Sequence, residues 1–108
     1  MLYLLMEIIE TRIFTQKICQ LLNDEEYKEL QNYLVENPNR GDLIKGSGGL
    51  RKLRWKLPNT GKSGGLRNIY YHYEERHQIY MIYVYQKNKM SDLTPSQIKL
   101  LKKEFLGE

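Results

Sequence analysis

The sequence predicts a single α+β domain spanning residues 1–108. Three observations carry that expectation. Helically spaced apolar residues fill the first third, three strand-like runs rich in tyrosine and β-branched residues fill the middle, and a well-capped helix start lies near the C-terminus. The expected order is β-α-α-β-β-β-α. Two N-terminal helices and a C-terminal helix then pack on one face of an antiparallel sheet, leaving the other face open.

Each element has a local reason. Met6–Glu10 reads as a short strand through Ile8 and Ile9. From about Arg12 to Leu22 the apolar residues Ile13, Phe14, Ile18, Leu21 and Leu22 follow helical spacing, and Cys19 within this run is expected to be a small buried packing residue. Asn23 has the N-cap chemistry and Glu26 the return position of a capping box. Asp24, Glu25 and Glu26 suit the positive end of the second helix, whose stripe is Tyr27, Leu30, Tyr33 and Leu34, and Asn37-Pro38 ends it. A loop from Gly41 to Gly49 holds one short strand at Leu43-Ile44. Strand runs follow at Leu50–Leu57, Leu66–Glu74 and Gln78–Lys87, joined by a mobile loop over Pro58–Gly65 and a tight hairpin at Glu75-Arg76-His77. After a turn at Met90–Leu93, Thr94-Pro95-Ser96-Gln97 is a helix start with cap, N1 proline and capping-box glutamine; Ile98, Leu101 and Phe105 are its core-facing residues.

Charge is unevenly distributed. Between Leu43 and Tyr73, thirty-one residues hold seven cations (Lys45, Arg51, Lys52, Arg54, Lys56, Lys62 and Arg67) and no acid, whereas the remaining ten Lys/Arg face thirteen Asp/Glu. A solvated face ordinarily mixes both signs; a focused cationic one attracts a polyanion such as a nucleic-acid backbone. Strand alternation puts Lys52, Arg54 and Lys56 on one side and Leu53, Trp55 and Leu57 on the other, so the cations form a row about 7 Å apart, near phosphate spacing. Arg67 alternates with Ile69, Tyr71 and Tyr73, and His72 takes the opposite face as a packing residue. The strand tyrosines are either base-stacking platforms or half-buried packing groups, and the sequence leaves both readings open.

Several classes are excluded. Gly61-Lys62-Ser63 lacks the earlier glycine of a phosphate-binding loop, because position 56 is Lys56, and no helix follows. Two histidines, one cysteine and no carboxylate pair at ligand spacing predict neither a metal site nor another cofactor. Met1–Met6 is too short for a signal or a membrane span, and Met6 is a second candidate start, with residues 1–5 an upstream extension. The expected protein is cytoplasmic with no membrane partner.

The run Gly48-Gly49-Leu50-Arg51-Lys52-Leu53-Arg54-Trp55, then Gly61-Lys62-Ser63-Gly64-Gly65-Leu66-Arg67-Asn68-Ile69-Tyr70-Tyr71, then Tyr83-Val84-Tyr85-Gln86-Lys87-Asn88 before Asp92-Leu93-Thr94, resembles the RelE/HigB superfamily of toxins. Asp24-Glu25-Glu26-Tyr27 and Asn37-Pro38…Gly41-Asp42 resemble its HigB-type branch. The resemblance covers roughly Met6 to Phe105 and implies a curved antiparallel sheet. It also implies the toxin of a type II toxin–antitoxin module, which enters the ribosomal A site and cuts mRNA. Implied partners are a cognate antitoxin, the ribosome with its message, and promoter DNA through the antitoxin only. Carried over residue by residue, Lys52 and Arg54 match the paired cations of one strand, Arg67 the arginine of the next, and Lys87 the basic position after the last strand. These four are the expected catalytic residues; Lys45, Arg51, Lys56 and Lys62 are expected to bind RNA. Some members place a Tyr or His near the C-terminus as an acid–base group, but here no Tyr follows Tyr85 and no His follows His77.

The chemistry implied is attack of the RNA 2′-hydroxyl on the adjacent phosphorus, without metal. Arg67 and Arg54 suit the phosphorane charge, and Lys52 the proton transfer, because cationic neighbours and burial under RNA favour its neutral form. Two other readings use the same basic face: a non-catalytic RNA- or ribosome-binding module, and an antitoxin-dependent co-repressor.

Overall fold

The computed structural model describes residues 5–57, 65–88 and 93–106, with the side chains of 105 and 106 excepted. The expected loop over Pro58–Gly64, Lys62 within it, most of the turn before Leu93, and the packing of Phe105 lie outside the described residues.

The elements run β1 (Glu7–Glu10), α1 (Arg12–Leu21), α2 (Asp24–Glu36), β2 (Asp42–Leu43), β3 (Leu50–Trp55), β4 (Leu66–Tyr73), β5 (Gln78–Gln86) and α3 (Pro95–Leu106), with a 3-10 turn at Glu74–Arg76 between β4 and β5. The α+β order is the expected one, and the short strand expected at Leu43-Ile44 forms as β2 one residue earlier. Both capping boxes are formed: Asn23 accepts from Glu26 N–H while Glu26 accepts from Asn23 N–H, and Thr94 and Gln97 reciprocate in the same way. His77 closes the β4–β5 turn with a left-handed backbone, φ 54°.

The five strands lie in the order β1-β5-β4-β3-β2. The last four pair antiparallel, but β1 runs parallel to β5, so the sheet is mixed rather than wholly antiparallel. That departure follows from the path of the chain. β1 reaches the far edge before the helical hairpin, and its entry to α1 is fixed where Thr11 N–H donates to the Met81 carbonyl and Thr11 Oγ1 to the Ile82 carbonyl. The same hydroxyl oxygen accepts from Phe14 N–H and caps α1.

Two apolar clusters hold the sheet. On one face Phe14, Ile18 and Leu22 around α1, with Leu30 and Leu34 of α2, pack on Leu53, Leu66, Tyr70, Ile79, Met81 and Val84. On the other, Leu50, Ile69, Ile82 and Tyr85 are met by Leu93 and Leu101, the latter from α3. The second face is therefore partly roofed by α3, not left open as the sequence suggested. A register shift between Ile69 and Tyr70 leaves Ile82 without a partner in β4, so Ile82 and Tyr83 both join the second cluster.

Cys19 corrects another expectation: it is exposed. The buried stripe of α1 runs through Phe14, Ile18 and Leu22, and one residue beyond Ile18 is a rotation of about 100° away from the sheet. Glu10 ties the N-terminal half together, accepting from the Tyr27 hydroxyl and, at 2.6 Å, from Thr15 Oγ1. Burial, and then the Glu10 carboxylate, push the Tyr27 phenol well above its ordinary range.

Candidate nucleic-acid interface

The site begins with the pairing of β3 and β4. Arg54 lies directly opposite Arg67, Lys52 opposite Ile69, and Arg67 in turn opposite Tyr85 of β5. Directly opposed residues share a sheet face, with Cβ atoms about 4.5–5.5 Å apart. Lys52, Arg54, Arg67 and Tyr85 therefore occupy one side, above Ile69. Lys52 and Arg54 line a cavity of about 410 Å³ together with Asp42, Lys45, Ile69 and Tyr85, and Leu93 and Ile98 close it from the α3 side.

Arg67 shares this face but is held differently. It is 7% exposed, and its Nη1 turns back to donate to the Leu66 carbonyl at 3.3 Å. A Cβ on Gly65 would stand 3.5 Å from the same nitrogen. Arg67 is thus a nearly buried cation beside Arg54 on the same face.

The other expected residues divide clearly. Lys45 is exposed and lines the cavity. Lys56 is exposed just past the end of β3. Lys87 is exposed, and its backbone N–H donates to Gly65 at 3.0 Å, which seats it beside the start of β4. Arg51 is not brought to the site. It pairs with Tyr70 on the face covered by α1 and α2, and Nη1 donates to the carbonyls of Asn39 at 3.0 Å and Gly41 at 2.7 Å. This corrects its expected RNA-binding role: one residue before Lys52, it falls on the opposite face of the strand, and its guanidinium holds the chain that enters β2.

The glycine-rich loop is a structural turn. Ser47 is buried, donating to the Ile44 carbonyl at 2.6 Å and accepting from Leu50 N–H at 3.0 Å. Gly49 has φ 116°, and a Cβ there would come within 2.9 Å of the Tyr71 ring. These contacts fix the stretch that carries Lys45. The tyrosines also separate. Tyr70 is core, its hydroxyl accepting from Gly41 N–H and donating to the Pro38 carbonyl. Tyr71, Tyr73 and Tyr80 make an edge-packed series at 5.9 and 6.3 Å between centroids, and Tyr85 reaches the cavity.

His72 takes the face opposite the cations, with Nδ1 2.8 Å from Asn39 Oδ1; desolvation pulls its imidazole below the ordinary value, against the pull of Glu74. Among the described residues, no group of three or more His, Cys, Asp or Glu could hold a metal ion. One cavity residue, Asp42, had no place in the sequence-based site. A two-residue strand has no periodicity to read, so its register against Lys52 could not be foreseen.

A family model described as the RelE toxin of the RelE/RelB toxin–antitoxin system matches residues 6–105. Among solved structures, the free-state structure of an E. coli RelE toxin carrying two arginine-to-alanine substitutions has a similar fold. The TM-score is 0.56 at 17% identity, with 78% of this chain and 85% of that chain covered.

Proposed function

The chain belongs to the RelE toxin family, and from that premise we propose that it is a ribosome-dependent mRNA endonuclease acting through its β3–β4 cations. As a member of that family it is a toxin of a toxin–antitoxin system with an antitoxin partner, and such toxins cut mRNA to inhibit translation. The observation that carries the finer reading is the juxtaposition of Lys52, Arg54 and Arg67 on one sheet face, beside a cavity with apolar walls.

In this scheme Lys52 is the group that accepts the proton of the 2′-hydroxyl. The 2′-oxygen attacks the adjacent phosphorus, and the bond to the 5′-oxygen breaks. A 2′,3′-cyclic phosphate results, and the leaving 5′-oxygen takes a proton from solvent to become the 5′-hydroxyl. Arg54, backed by Arg67, neutralises the charge gathering on the phosphorane, where fixed cations are most effective. Arginine stays protonated and cannot serve as the base. Lys87, exposed beside the start of β4, is the fourth cation offered to the reacting phosphate, Lys45 and Lys56 steer and hold the message, and Arg51 belongs to the scaffold. A protein with so few acid–base groups works better when another machine aligns the RNA for in-line attack, which is the physical case for the ribosome. We place the chain in the HigB-type branch on Asp24–Tyr27 and Asn37–Asp42. The cytoplasm, where translation occurs, is the corresponding compartment; no helix among the described residues is long and apolar enough to cross a membrane. Promoter DNA is then reached only through the antitoxin.

The test is controlled expression without the antitoxin, with mRNA 5′ ends mapped. Cuts at fixed codon positions, on translated messages alone, are expected. Growth arrest without new 5′ ends would instead identify a non-catalytic ribosome binder.

A further inference from the structure

Among the described residues, the lining of the cationic cavity includes one acidic side chain, Asp42, carried on a pinned stretch of backbone. Asp42 lies directly opposite Lys52 in the β2–β3 pairing, and both line the cavity. The backbone at Gly41, just before it, and at Ile44, two residues after it, is hydrogen-bonded to the rest of the fold. Gly41 N–H donates to the Tyr70 hydroxyl at 2.9 Å and the Gly41 carbonyl accepts from Arg51 at 2.7 Å, while Ile44 N–H donates to the Leu50 carbonyl at 2.8 Å. A Cβ at Gly41 would meet the Tyr70 ring at 2.8 Å, so the backbone beside Asp42 passes against the core with no room to drift. The side chain itself is exposed and has only two rotatable bonds.

A carboxylate repels phosphate. In the endonuclease reading the phosphate of a bound nucleotide lies toward Arg54, and what reaches Asp42 is the other end of the nucleotide. Ile69 and Tyr85 offer an apolar wall for the face of a base, and a cavity of about 410 Å³ can admit one. An ionised carboxylate accepts hydrogen bonds and cannot donate them. The four bases differ in what they offer it. Guanine presents two adjacent N–H donors on its pairing edge, matched to two carboxylate oxygens. Adenine and cytosine present one amino group beside an acceptor nitrogen. Uracil presents a single N–H flanked by two carbonyl oxygens that repel the carboxylate.

We propose that Asp42 is a specificity-determining residue that reads the edge of an unstacked base in this cavity and favours guanine over uracil. The proposal rests on the endonuclease reading for its biological setting, but base selection is measurable without cleavage. The probes are four 2′-O-methyl trinucleotides, resistant to 2′-hydroxyl attack, with each base in turn between two uridines. Affinities for the wild type and D42N are measured by NMR titration of backbone amides. A bidentate contact to a base discriminates against the wrong base, so the guanine probe should bind about tenfold more tightly than the uracil probe. In D42N the two should fall within about twofold, with an unchanged thermal midpoint. In parallel, 5′ ends cut on translating ribosomes should show guanine enriched at one fixed position for the wild type and not for D42N. Equal binding of all four probes by the wild type, or a preference that D42N retains, overturns the proposal. A wild type that discriminates between the trinucleotides but cuts no message refutes the endonuclease reading and leaves base selection standing.

Discussion

Replacing Arg67 by methionine should make the protein more stable and nearly inactive. Arg67 is 7% exposed and faces Arg54 directly across the β3–β4 pair, and its one hydrogen bond among the described residues is a 3.3 Å contact to a carbonyl. Directly opposed strand residues have Cβ atoms about 5 Å apart, and two unit charges held, for example, about 7 Å apart repel by roughly 2.4 kcal/mol at an effective dielectric of about 20. Arg54 is exposed, so solvent reduces this to about 1 kcal/mol. Methionine removes the repulsion and the buried charge while filling much of the same space, an exchange that is often neutral or stabilising. The expected result is a thermal midpoint about 4 °C higher at low salt, with the difference shrinking in 1 M NaCl, where the screening length is about 3 Å. Cleavage on programmed ribosomes should fall about 10²–10³-fold, the usual effect of losing one charge-stabilising donor. A variant less stable than the wild type would refute the reasoning, because it would mean that Arg67 is a satisfied structural cation. So would a variant that still cuts at near wild-type rate.

Two further outcomes test the assignment of groups to scaffold or site. Arg51→Met should lower stability by about 1–3 kcal/mol, through loss of the bonds to Asn39 and Gly41. Its affinity for single-stranded RNA at fixed salt should stay within about twofold of wild type; urea unfolding and a binding titration check the two halves. The raised phenol of Tyr27 gives a pH dependence with a definite sign. Above about pH 10 the unfolded chain releases this proton and the folded one does not, so stability falls as pH rises past that point. Y27F, measured by alkaline unfolding, should be flatter above pH 10, though less stable at pH 7 through loss of the bond to Glu10.

What could be read from the sequence was mostly local. The two capping boxes need only residues three apart, and both formed as expected. The shared face of Lys52 and Arg54 needs only the two-residue period of a strand, and the cavity they line follows it. The convergence with Arg67 also depended on the pairing of β3 with β4 across a long loop, which residue spacing alone does not establish. Failures came where a residue's environment was set by distant chain. Arg51 was counted among the RNA ligands because its charge was counted before its face; its partners are carbonyls ten and twelve residues back. Cys19 was placed inside because the run around it was apolar, although the stripe of α1 is too narrow to include it. The parallel docking of β1 and the roof made by α3 depend on pairings and packings across most of the chain. Asp42 entered the site through the register of a two-residue strand.

The most direct test of the central claim is a double-mutant cycle on single-turnover cleavage, with wild type, Arg54→Ala, Arg67→Met and the double variant on the same programmed ribosomes. If both arginines serve one phosphorane, the double variant should be little slower than the worse single one, because groups acting as a unit are lost together. Losses that multiply would mean that Arg54 and Arg67 act at separate places, contradicting the account.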